Sequence, residues 1–69
     1  MQPLLMRGGI GFRRLESGTY RSRYEGREWL TQKMSCNPLW VVTESGKLLG
    51  QFHTLEDAGA AIYAQLIAQ

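Results

Sequence analysis

Cysteine, histidine and proline are nearly absent from this chain. Its 69 residues include one cysteine (Cys36), one histidine (His53) and two prolines (Pro3 and Pro38). A single cysteine excludes an internal disulfide, and one Cys with one His falls short of the four ligands of a structural zinc site. An unpaired thiol fits a reducing compartment, so the expected location is cytoplasmic. Long apolar runs are absent too. None approaches the roughly 20 residues that a membrane-spanning helix needs, and Met1–Met6, broken by Pro3, is too short for a signal-peptide core. No membrane partner is expected.

Catalytic constellations are equally scarce. A nucleophilic Cys36 would need His53 as its base and a third group to orient that base, and none stands nearby in sequence. Gly8-Gly9-Ile10-Gly11 is glycine-rich but lacks the Lys-Ser/Thr of a phosphate loop and the strand-before, helix-after context of a dinucleotide site. Glu25 and Glu28 are flanked by Arg23 and Arg27, as in surface ion pairs. The expectation is a protein that binds rather than catalyses, with no metal and no cofactor.

What is present is arginine, unevenly placed. Residues 1–33 carry seven basic and three acidic side chains, a net charge of +4, whereas residues 34–69 carry one and three, a net charge of −2. In the first half the arginines alternate with aromatics: Phe12, Arg13, Arg14, Tyr20, Arg21, Arg23, Tyr24, Arg27 and Trp29. Guanidinium groups fork onto phosphates and aromatic rings stack on bases, but the same residue types form the anchors of protein interfaces. The candidate site for a nucleic-acid or protein partner is therefore Arg13, Arg14, Arg21, Arg23, Arg27 and Trp29.

Hydrophobic content is 43%, enough for a packed core. The pattern predicts an α+β fold, with an antiparallel sheet of three or four strands packed against one C-terminal helix. Residues 1–11, with Pro3 and three glycines and no periodicity, are expected to be a flexible arm, and residues 12–69 a single small domain. Strand signals cover Phe12–Leu15 and Thr19–Tyr24, joined at Glu16-Ser17-Gly18. Leu39–Thr43 and Lys47–Phe52 form a hairpin about Glu44-Ser45-Gly46. Glu28–Met34 reads as strand, with Trp29, Thr31 and Lys33 on one side, although a short helix stays open. Ser35-Cys36-Asn37-Pro38 is a break. Thr54 is placed to cap a helix from Leu55 onward, with Glu56 and Asp57 at its positive end. The expected core is Phe12, Leu15, Trp40, Val42, Leu49, Phe52, Leu55, Ala58, Ile62 and Leu66.

That helix carries a second apolar stripe, Ala60, Tyr63 and Ile67, which a small sheet on the other side cannot cover. With no disulfide or metal to stiffen so short a chain, the stripe is expected to serve self-association, giving a homodimer.

The run Leu49-Gly50-Gln51-Phe52-His53-Thr54-Leu55-Glu56-Asp57-Ala58, continuing to Ala61 and Tyr63, resembles the last strand and helix of the plant ethylene-response-type DNA-binding domain. It is similar also to the arm-binding domains at the amino ends of phage integrases. The resemblance implies a three-stranded antiparallel sheet on one helix, with Leu49, Gly50, Phe52, Thr54, Glu56 and Ala58 in strand, cap and helix face. It further implies DNA contact through arginine and tryptophan on the strands. Here the hairpin before the helix offers Trp40 and Lys47 but no arginine, so contacts would fall to Arg13, Arg14, Arg21 and Arg23, outside the matching run. The leading expectation is a small nucleic-acid-binding module. The alternative is a phage- or mobile-element-type regulator that binds and inhibits a host protein.

Overall fold

The computed structural model describes residues 4–35 and 39–68. Six strands run antiparallel in chain order: β1 (Leu5–Arg7), β2 (Ile10–Glu16), β3 (Thr19–Tyr24), β4 (Arg27–Lys33), β5 (Trp40–Glu44) and β6 (Lys47–Phe52). One helix, α1 (Leu55–Ile67), follows. The expected class, a sheet of three or four strands, is thus corrected to a six-stranded meander, still with a single C-terminal helix. The additional strand at the front comes from the segment read as a flexible arm. Leu5, Met6 and Arg7 pair with Phe12, Gly11 and Ile10, and Ile10 is fully buried. The Gly8-Gly9 pair that suggested flexibility is instead a two-residue turn with φ of 61° and 88°, a conformation whose twist matches the flanking strands. Met1–Pro3 of the expected arm and Cys36–Pro38 of the expected break lie outside the described residues.

Strand β4 resolves the ambiguity over residues 28–34 in favour of strand. The remaining connections follow the sequence signals. Glu25-Gly26 and Ser45-Gly46 are two-residue turns of the same left-handed kind, and Gly18 takes a positive φ between β2 and β3. Two bulges interrupt the ladders. In β2, Arg14 faces Tyr20 and Glu16 faces Thr19, leaving Leu15 as the extra residue. A bulged residue drops out of the alternation of faces. Leu15 is accordingly 47% exposed and is not a core residue, contrary to expectation. In β6 the extra residue is Leu49, between Leu48 and Gly50.

Helix α1 begins where Thr54 Oγ1 accepts the Asp57 N–H at 3.0 Å. Its inner face carries Leu55, Ala58, Gly59, Ile62 and Leu66, while Ala60, Tyr63 and Ile67 are exposed. The helix packs against β1 and β2 at one end of the sheet and against β5 and β6 at the other. A sheet that meets one helix from both ends must curl around it, so its inner face is concave and its outer face convex.

The core lies in that concavity. Ile10, Phe12, Trp29, Val42, Ala58 and Ile62 are fully buried, ringed by half-buried Leu5, Tyr20, Tyr24, Trp40, Leu49, Phe52, Leu55 and Leu66. Trp29 stands opposite Ser22 on one side and Glu44 on the other. The small serine leaves room for the indole between strands. Phe12 meets Tyr20 edge-on at 6.1 Å, and Tyr20 meets Trp40 at 5.8 Å. Among the described residues, no helix is long and apolar enough to cross a membrane.

Candidate anion site on the outer face of the sheet

Strand alternation divides the predicted site residues between two faces. Arg13 lies directly opposite Arg21 in the β2–β3 ladder, and Arg21 lies opposite Leu30 and Arg23 opposite Glu28 in the β3–β4 ladder. Arg13, Arg21 and Arg23 therefore share the outer face, away from the helix. Arg14 faces Tyr20, so it belongs to the other side of the sheet and does not join them.

Arg27 and Trp29 are on the inner side as well: Trp29 is withdrawn into the core, and Arg27, still partly exposed, is engaged within the fold. Trp29 is fully buried. Arg27 donates two hydrogen bonds to the Glu44 carboxylate, at 2.6 and 2.7 Å, and its guanidinium sits 4.8 Å from the centre of the Trp29 ring. That bidentate contact raises the Arg27 pKa and holds the Glu44 carboxyl below its ordinary value, against the opposing effect of partial desolvation. The Trp29 indole N–H lies near enough to help lower Glu44 but outside hydrogen-bonding geometry. The three side chains form a structural clamp at the β4–β5 end of the core. The alternation of Trp29, Thr31 and Lys33 along one side of a strand was the signal for its burial.

The outer arginines surround a hollow of about 240 Å³ lined by Leu4, Gly11, Arg13, Arg21, Arg23 and Tyr24. It exists because β2 changes partner. From Ile10 to Phe12 the strand pairs with β1, and from Arg13 onward with β3. Continuing the β2–β3 register past Arg13 and Arg21 would bring Gly11 opposite Arg23, but the ladder stops and the strands splay. The Tyr24 hydroxyl fills the gap and accepts the Gly11 N–H at 2.6 Å. A buried N–H cut off from its ladder requires such a partner. Gly11 keeps the hollow open: a Cβ there would stand 3.1 Å from the Tyr24 oxygen, 3.2 Å from Leu4 Cδ1 and 3.3 Å from Met6 Sδ.

The electrostatics of the hollow are one-sided. Its lining includes three arginines and no carboxylate. Arg23 is held 3.0 Å from Glu28, a largely exposed ion pair of little energetic weight. Among the described residues, neither Arg13 nor Arg21 has a carboxylate partner. A larger hollow, about 460 Å³, follows the β3–β4 turn, but Glu25 and Glu28 stand among its arginines and neutralise it. Tyr24, Gly11 and Leu4 complete the arginine-rich hollow without having been singled out from the sequence. Tyr24 was visible only as one aromatic of the arginine-rich stretch, and Gly11 only as one glycine of the expected arm.

These features define a small curled-sheet protein with a donor-rich, carboxylate-free hollow on its convex face. Comparison with known proteins adds nothing to that description: no family model, no curated protein and no solved structure matches the chain.

Proposed function

We propose that this protein is a non-catalytic nucleic-acid-binding module that contacts phosphate groups of the strand through Arg13, Arg21 and Arg23. The observation that carries the reading is the direct cross-strand opposition of Arg13 and Arg21 with no carboxylate on either. Like charges placed opposite one another destabilise a sheet, and an anion between them removes the repulsion. The convex outer face turns these side chains away from the helix, although the six strands depart from the three-stranded sheet that the resemblance of residues 49–63 implies.

The test is a salt titration of DNA and RNA binding. Replacing Arg13 and Arg21 together with alanine should weaken binding. It should also lower the slope of log K against log[salt] by roughly 0.9 for each phosphate of duplex DNA that the arginines had neutralised. Arg14→Ala, on the opposite side of the sheet, should leave the slope nearly unchanged. An undiminished slope in the double variant would overturn the assignment.

A second reading has its own observation. Beyond Arg21 the outer face loses its charge: Leu30 lies opposite Arg21, Thr43 opposite Leu30, and Leu48, 61% exposed, opposite Thr43, with half-buried Val41 beside them on β5. Arginines beside an apolar patch also suit a protein interface, as a regulator that inhibits a host protein would use. Absence of any nucleic-acid binding at low salt, with Leu48→Asp abolishing capture of a protein target, would favour it.

A further inference from the structure

We infer that the hollow between β1 and β3 is a pocket for a terminal phosphate of a nucleic-acid strand rather than for a phosphodiester within it. This rests on the nucleic-acid reading and specifies which part of the strand the hollow takes. Three observations converge.

The first is charge. Among the described residues, the guanidinium groups in the lining without a carboxylate partner are those of Arg13 and Arg21, while Arg23 is shared with Glu28. Two free positive charges match a phosphomonoester, which carries a charge of about −1.5 to −2 at neutral pH because its second pKa is about 6. An internal phosphodiester, with a single negative charge, would leave one guanidinium uncompensated.

The second is shape. The hollow is a bowl at a change of strand partner, flanked by β1 on one side and β3 on the other. At about 240 Å³ it has room for a phosphate and part of a sugar. Leu4, 57% exposed on the β1 side, offers an apolar wall to that sugar, while the arginines face it from β2 and β3.

The third is the remaining donor. The Tyr24 oxygen accepts from Gly11, so its own O–H is available to donate, and a phosphomonoester offers three acceptor oxygens. Gly11 has no positive φ to demand glycine. Its missing Cβ serves space: a side chain there would crowd Tyr24, Leu4 and Met6 and fill the floor of the bowl.

Fluorescence anisotropy with the full chain tests this, using one oligonucleotide sequence prepared with a 5′-phosphate, a 3′-phosphate or hydroxyls at both ends. The expected result is at least tenfold tighter binding of a phosphorylated end. That preference should shrink as pH falls below about 6 and the monoester becomes a monoanion, and it should be lost in Arg21→Gln. Gly11→Ala should reduce the preference while residual backbone binding persists. Circular dichroism of both variants, matched to wild type, shows that any loss is local. Equal affinity for the three oligonucleotides overturns the terminal-phosphate assignment and leaves the nucleic-acid reading standing. Failure to bind any of them at low salt overturns that reading itself.

Discussion

Gly59 shows how one residue can have opposite values in isolation and in place. In a solvent-exposed helix, Gly→Ala stabilises by roughly 1 kcal/mol. In this fold a Cβ on Gly59 would overlap the Arg7 carbonyl and press on Phe12 Cε2 at 3.2 Å. The obstacle is backbone, which cannot rotate away. Gly59→Ala should therefore destabilise by about 1–3 kcal/mol, read as a lower urea midpoint with an unchanged slope. A more stable variant would show that β1 does not lie against the helix. At the other end of the core, Glu44 is a pH-dependent contact. Its pKa is lowered chiefly by the Arg27 hydrogen bonds, so its contribution is present above its ordinary value of 4.5 and fades as pH falls through the lowered one. In Glu44→Gln the fall in stability below about pH 4.5 should be shallower than in wild type, as chemical denaturation across the acid range would show.

At the scale of elements, the hairpin turns set the register and some do so with imperfect residues. Ser45 holds φ at 51° and Glu25 at 52°, in the left-handed region that costs an ordinary side chain roughly 1–2 kcal/mol. Asparagine tolerates that region better. Ser45→Asn in the β5–β6 turn should raise stability by about 0.5–1 kcal/mol, measured as a higher urea midpoint. No gain would mean that the turn relaxes away from this geometry in solution. The two bulges act at the same scale. One turns Leu15 outward, and the other inserts Leu49 beside the core. Each lets a strand satisfy both its neighbours and the curl of the sheet.

For the whole molecule, one uncovered apolar surface among the described residues is the far side of α1. The helix presents Ala60, Tyr63 and Ile67 outward, with Tyr63 46% and Ile67 65% exposed. Burial of such a stripe gains roughly 25 cal/mol per Å² of apolar area, and a two-fold pairing of identical helices is a common way to bury it. Light scattering should give twice the chain mass of 7.8 kDa, and Ile67→Asp should return the monomer. A wild-type protein that stays at 7.8 kDa across micromolar concentrations would exclude self-association through this face.

Much of this fold is local and was legible in the residues. Thr54 ahead of Leu55, the Ser45-Gly46 turn and the stripe of Leu55, Ala58, Ile62 and Leu66 each depend on neighbours a few positions away, and each is found where its pattern placed it. The strand-forming tendency of residues 39–43 and 47–52 is local in the same sense. What only the tertiary structure decided involves distant partners. Leu5–Arg7 is too short to show a period and becomes a strand because β2 and the helix receive it. Trp29 and Arg27 read as partner-facing residues until register set them against Ser22 and Glu44. The candidate anion site is the strongest case. Arg13 and Arg21 are eight positions apart in the chain and face each other only through a ladder. Their hollow opens only because β2 leaves β3 for β1, a change of partner that no stretch of sequence contains by itself.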